Sequence, residues 1–321
     1  MIRILIAVLA LCLITDISLL SQDFAKDTLW SATVPHNGTI SAKLMFHPDG
    51  NTLFATSDHY LYEYRTDNGS LLKTRMTQSG SAIIDYQISR DTQTIFLLTR
   101  QYIEIWDIKS GFTKKFPLKN QGVTSFAVSS DNTIAFIGYY NRGLEKMSLI
   151  SGEVLTSTLE VGYEISLKPD ESEIVCFYSP MTHRTSIVNT DNLKIIHTLP
   201  PTTHTPQYSA DGKYIIGIAN NNSVSIYDRT ENKHYTLSGH KGKITGICFA
   251  QQGKYIFTTS LYEPEDNHGY RIWDIEKKQL YKAGPAQLNA QKITHSRHQS
   301  LFALSSGDTG KIILCKHEDL P

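Results

Sequence analysis

One unit recurs along this chain: an apolar stretch, a polar turn built on Asp or Gly, a second apolar stretch, and an aromatic–Asp ending. The clearest copies are YQISRDTQTIFLLTRQYIEIWDIKSG (residues 86–111) and YSADGKYIIGIANNNSVSIYDRTEN (208–232). A third is FAQQGKYIFTTSLYEPEDNHGYRIWDIEKK (249–278). A unit this short cannot bury its own apolar face, so copies must stack around a shared core. Two rulers measure the period. The first turn falls at Asp49, Asp91, Asp131, Asp170, Asp211, Gln252 and His298, at intervals of 42, 40, 39, 41, 41 and 46 residues. The second falls at Gly69, Gly111, Gly152, Asn192, Asn232 and Lys278, at intervals of 42, 41, 40, 40 and 46. Both stretch at one place, the Glu263–His268 insertion of the sixth copy.

Within each copy the pattern is that of strands. Ile95–Leu98 is a continuous apolar run, as in a strand buried on both faces, and Tyr102–Asp107 is aromatic-rich and strand-like. Beyond the N-terminus no stretch sustains a helical period, so the chain reads as all-β. A period near 42 fits four-stranded propeller blades, which run to roughly 40–45 residues. Seven copies then make a seven-bladed β-propeller of antiparallel blades. The seventh copy has strands at about Ile293–His295, Leu301–Ser305 and Lys311–Cys315 but no fourth. An unassigned strand, Leu29–Pro35, precedes the Ile40–Phe46 strand of copy one and is expected to close the last blade, leaving no open edge. Residues 28–321 form a single domain on this reading.

With the repeat in view, the chain resembles the WD-repeat β-propeller family over nearly everything after residue 28, with Asp-Gly turns similar to YVTN-type bacterial propellers. Gly239-His240 and Trp273-Asp274 stand where that family places its Gly-His and Trp-Asp pairs. The resemblance implies a structural hydrogen-bond network of His240, Trp273 and a strand hydroxyl, Thr258 or Ser260, with Asp274 as part of the motif. Trp106-Asp107 lacks a preceding His, Tyr227-Asp228 replaces the Trp, and the other copies lack the signature.

Residues 1–22 carry the address. Arg3 precedes an apolar run of 11, Ile4–Ile14, within the range of a signal-peptide core and too short for a membrane span. This fits export, to a periplasm or the extracellular space. The small–x–small cleavage pattern is missing, which leaves membrane tethering by an uncleaved signal anchor as the alternative. Basic and acidic residues balance at 31 each, so no electrostatic footprint for nucleic acid exists. Cys176, Cys248 and Cys315 fall in three different copies and read as small buried hydrophobes. The sequons at Asn37, Asn68 and Asn221 matter only in a glycosylating host.

No catalytic motif or phosphate loop is present. His295 and His298 flank a turn and read as exposed turn histidines, and the acidic insertion reads as a solvated loop, so no metal or other cofactor is expected. Loops between the second and third strands of a propeller gather on one face. Here they carry His59, Tyr60, Arg100, Tyr102, Tyr139, Tyr140, Arg142, His183 and Arg184, residue types enriched where proteins bind proteins. The expectation is a non-enzymatic platform for a protein partner, monomeric outside its complex. The alternatives are a lactonase- or dehydrogenase-like propeller enzyme and a small-ligand sensor. Channel-facing Asp, Glu or His from several blades would favour those two, and a bare apolar channel with an aromatic rim would favour the platform.

Overall fold

The structure, a computed structural model, describes residues 27–35, 43–178, 184–199, 203–219, 221–261, 268–285, 290–306, 309–317 and 320. They form 28 strands, β1 to β28 in chain order, arranged as seven separate four-stranded antiparallel sheets. Blade one is β2 (Met45–Phe46), β3 (Thr52–Ser57), β4 (Tyr60–Arg65) and β5 (Leu71–Met76). Five further sheets follow in the same order and a seventh is completed by β1, each holding a full second strand such as Thr94–Thr99.

The first strands of blades two to seven are β6 (Ile83–Ile88), β10 (Val123–Val128), β14 (Glu164–Leu167), β18 (Thr203–Tyr208), β22 (Ile244–Ala250) and β26 (Ala290–His295). They pack on one another around the axis, whereas a last strand such as β5 exposes every residue but Arg75. Polar side chains on these inner strands reach the backbone of the next blade. Gln87 bonds both N–H and C=O of Val128, Ser125 bonds Tyr163 and Ile165, Gln207 bonds Ile247, and Thr245 bonds Ala290. Each stitch spans about one repeat in sequence. The hydrophobic cores lie between blades as well. One joins Phe96, Leu98 and Ile103 of blade two to Val123, Phe126 and Ile137 of blade three.

Blade seven is β26, β27 (Leu301–Ser306), β28 (Lys311–Lys316) and β1 (Thr28–Thr33), in the order β1-β28-β27-β26. The closing strand therefore comes from the N-terminal end, pairing Trp30 with Leu314 and Ala32 with Ile312. It ends two residues earlier than the sequence reading, at Thr33. Trp30 also donates its indole N–H to the Thr66 carbonyl of blade one at 2.9 Å, so one residue ties the first blade to the last. The start of the Ile40–Phe46 strand, residues 40–42, lies outside the described residues, as does the leader.

The first turns owe their regularity to aspartate. Asp49, Asp91, Asp131, Asp170 and Asp211 each accept the backbone N–H two residues on, at 2.8–3.1 Å. The residue after each Asp (Gly50, Thr92, Asn132, Glu171, Gly212) takes a positive φ. Asp-assisted turns tolerate this conformation in non-glycine residues. Of the second turns, the fourth needs correcting: the positive φ belongs to Leu193, not Asn192. Leu193 is buried in the core shared by blades three and four, and that packing holds its backbone there.

The Ser89 and Ser129 hydroxyls, donating to Asp91 and Asp131, hold those carboxyls below the usual range. The Lys168 ammonium does the same to Asp170, bringing it to about 2. A carboxyl depressed on folding stabilises above its unfolded value, near 4, and that stability fades as pH falls through the folded value. The melting temperature should thus drop between about pH 4 and 2, and an Asp91→Asn, Asp131→Asn, Asp170→Asn variant should show a shallower drop. Parallel acid profiles of the two proteins would refute this.

Candidate interaction face

Two sets of loops share one end of the ring. The Thr77 N–H donates to the His59 carbonyl, Leu118 to Gln101, and Tyr140 to Gly122, each at 2.8–2.9 Å. Loops joining second to third strands are thereby laced to the loops between blades, and both sets build the face that carries the residues picked out above.

Those residues are not equivalent. His59 Nδ1 lies 2.7 Å from Asp58 Oδ2, and its ring is 4.3 Å from that of half-buried Tyr60. Arg100 and Arg184 are exposed, while half-buried Tyr102 lies beneath the Lys115 ammonium. Tyr139 is not on the surface at all. It is 1% exposed and donates its hydroxyl to Glu145 Oε2 at 2.7 Å, so it belongs to the core and leaves the candidate set. Its neighbour Tyr140 is 43% exposed, with its ring edge-on to Tyr163 at 5.6 Å. Arg142 donates to Asn120 Oδ1 at 2.8 Å. His183, Asn220, Glu263–Asn267 and residues 307–308 lie outside the described residues.

Tyr163 is the residue that sequence reasoning missed. It sits in a loop between blades, outside the loops from second to third strands that the repeat singles out. Its ring continues to Phe177 at 6.1 Å and from there to His204 at 4.2 Å. A file of rings thus runs from the rim of blade three to blade five.

Conserving the shape of this face falls to a buried polar position on the third strands. In blade six, His240 Nε2 and Trp273 Nε1 meet the Thr258 hydroxyl at 2.7 and 2.8 Å, and Arg271 reaches His240 Nδ1 at 2.6 Å. The hydroxyl in this network is thus Thr258; Ser260 Oγ has no partner among the described residues. Asp274 caps the following turn by accepting the Lys277 N–H. Blade two reaches the same end with other chemistry. Glu104, fully buried on β8 (Tyr102–Asp107), accepts Trp106 Nε1 at 3.0 Å and the Gln78 and Ser79 N–H groups at 2.8 Å. In blade three the equivalent Glu145 takes Tyr139 and Asn120. Each carboxylate pins a loop of the face to the blade beneath it.

At the axis, one inner-strand position pairs with the penultimate residue of each second strand. From blade two to seven it holds Asp85, Ser125, Glu164, His204, Gly246 and Lys292. Lys43 of blade one pairs with Asp85 at 2.7 Å. Burial pushes the Glu164 carboxyl up and the Lys292 amine down. Charged groups from several blades do therefore meet here, but the two carboxylates are engaged: Asp85 accepts the Phe126 N–H and Glu164 the Thr205 N–H of the next blade. They build the wall.

Reading both His295 and His298 as exposed turn histidines holds for His298 alone. His295 is half-buried on β26, and its Nε2 is 2.8 Å from His317 Nε2. Among the described residues Cys176, Cys248 and Cys315 form no disulfide; Cys176 and Cys315 are buried and Cys248 half-buried. Among the described residues no helix is long and apolar enough to cross a membrane.

A family model described as WD domain, G-beta repeat, matches residues 231–274, the segment containing the His240–Thr258–Trp273 network. The β-propeller domain of Cps50 (Swd1) from Myceliophteria thermophila superimposes with a TM-score of 0.75 at 11% identity. That match covers 90% of this chain and 100% of the other. The chain thus carries one matched WD-type repeat, in blade six, on a seven-bladed β-propeller fold.

Proposed function

We propose that this protein is a non-enzymatic, exported interaction platform that holds a protein partner on the loop face of blades one to four. The observation that carries this reading is the exposed Tyr140 ring, braced edge-on by Tyr163, on a loop that also carries exposed Arg142. A rigid aromatic beside a guanidinium is the composition of an interface hot spot. WD-repeat propellers in general serve as protein-binding scaffolds, which agrees with it. Asp85, Glu164 and His204 at the axis are the feature that favours the enzyme or sensor alternative, and Asp85 and Glu164 each also brace the next blade. Export rests on the apolar run at Ile4–Ile14, and N-terminal sequencing of the protein from the exported compartment distinguishes a cleaved leader from an uncleaved membrane tether.

The test is affinity purification from that compartment, followed by binding measurements on variants. Tyr140→Ala and the charge reversals Arg100→Glu, Arg142→Glu and Arg184→Glu are expected to identify the hot spot. Loss there costs about 2 kcal/mol or more, roughly thirtyfold in affinity. Changes at such exposed loop positions shift stability by less than about 0.5 kcal/mol. Normal binding by all four variants, with loss on changing Glu263–His268, would move the site to blade six and overturn the reading.

A further inference from the structure

The side chains at the other end of the ring include one pair with no part in the loop face. Between blades six and seven, among the first turns, lies a cavity of about 250 Å³ whose lining includes His295, His317, Gln252, Arg297, His298 and Ser300. The imidazoles of His295 and His317 meet almost head to head, with Nε2 atoms 2.8 Å apart, ring centroids 5.0 Å apart and planes 28° apart. We propose that this pair is a binding site for a divalent transition metal of borderline softness, Cu²⁺, Ni²⁺ or Zn²⁺, with the two Nε2 atoms as its protein ligands.

Metal–imidazole bonds of about 2.0–2.1 Å at a tetrahedral angle place the two nitrogens about 3.3 Å apart, with each lone pair about 35° off the line between them. The rings must therefore part by about 0.5 Å and each turn by about that angle. One ring now donates Nε2–H to the other. On metal binding that ring carries its proton on Nδ1 instead, so both imidazoles stay neutral, both Nε2 lone pairs face the ion, and no net proton is released. The rings are held for this. Phe257 lies against both, with centroids at 5.2 Å from His295 and 5.7 Å from His317. The His317 N–H is fixed to the Ser300 carbonyl at 3.0 Å.

The rest of the coordination sphere is open. Among the described residues no three His, Cys, Asp or Glu side chains converge as metal ligands. The remaining positions fall to water, or to the Gln252 amide oxygen and the Ser300 hydroxyl on the cavity wall. At about 30 Å³ per water, the cavity has room for an ion and several waters. No carboxylate lines it among the described residues, and Arg297 adds positive charge. Imidazole ligands without carboxylates select Cu²⁺, Ni²⁺ and Zn²⁺ over Mg²⁺ and Ca²⁺.

The experiment uses the full chain without a histidine tag, stripped with chelator and titrated calorimetrically with Cu²⁺, Zn²⁺ and Mg²⁺. The expected result is one Cu²⁺ or Zn²⁺ per chain, Cu²⁺ the tighter, and no Mg²⁺. His295→Gln and His317→Gln should each abolish the site, while His47→Ala, which alters a histidine in blade one, should leave it intact. The Cu²⁺ complex should show two coordinated imidazole nitrogens by electron paramagnetic resonance. That measurement on the unmodified protein decides the matter even where buried His317→Gln fails to fold. No binding, wild-type affinity in the His295→Gln variant, or a spectrum lacking two imidazole nitrogens would each overturn the assignment.

Discussion

Replacing Glu104 by alanine is expected to lower the folding free energy by about 2–4 kcal/mol, although the residue touches neither the axis nor the exposed rim. The carboxylate is fully buried and accepts three hydrogen bonds, from Trp106 Nε1 and from the Gln78 and Ser79 N–H groups. Its removal leaves a cavity and strands an indole N–H and two backbone donors. Denaturant unfolding should report a lower midpoint with an unchanged slope. Glu104→Gln keeps one acceptor oxygen but turns an amide NH₂ toward the remaining donors, so it should fall between alanine and wild type. A wild-type midpoint for the alanine variant would show that the Gln78–Ser79 loop finds other partners. It would also remove the case for Glu104 as blade two's counterpart of the Thr258 network.

A larger effect is expected from deleting Thr28–Thr33. Without that strand, blade seven loses its outer member, β28 gains an open edge, and the Trp30–Thr66 hydrogen bond to blade one disappears. A closed ring has no partly satisfied state to fall back on. The loss should therefore approach the whole folding free energy, on the order of 5–15 kcal/mol. Calorimetry should show no single cooperative transition, and size-exclusion chromatography should show association through the freed edge. Adding a synthetic peptide of residues 27–35 should restore a cooperative melt in proportion to its concentration. A two-state melt at the wild-type temperature in the truncated chain would refute closure by this strand.

The fold was legible because turn chemistry repeats more faithfully than the strands do. Asp91, Asp131 and Asp211 mark their turns through their own hydrogen bonds, so the residue type and its structural role coincide. Where packing sets the backbone instead, the sequence misleads. Leu193 adopts a left-handed conformation beside an asparagine that looked the better candidate, because the core holds it there. The face was only partly legible. Tyr139 and Tyr140 are adjacent tyrosines, yet the strand ends between them, so one packs onto Glu145 and the other sits in the turn facing solvent. Tyr163 and His317 lay beyond reach for a different reason. Their partners are distant in sequence, Tyr140 in the next loop of the face and His295 on another strand, and only the finished ring brings them together.

The origin of β1 also sets an order of events during synthesis. Thr28–Thr33 leaves the ribosome before any blade exists, and its partner β28 ends at Lys316. At about 5–20 residues per second, the strand waits roughly 15 to 60 s for the chain that will cover it. Its composition suits the delay. Alternate residues remain exposed even in the finished ring, and three of its six side chains are Thr or Ser. Of the ring's strands the one made first is thus the last to find its place, and the ring locks only once Lys311–Lys316 has been made.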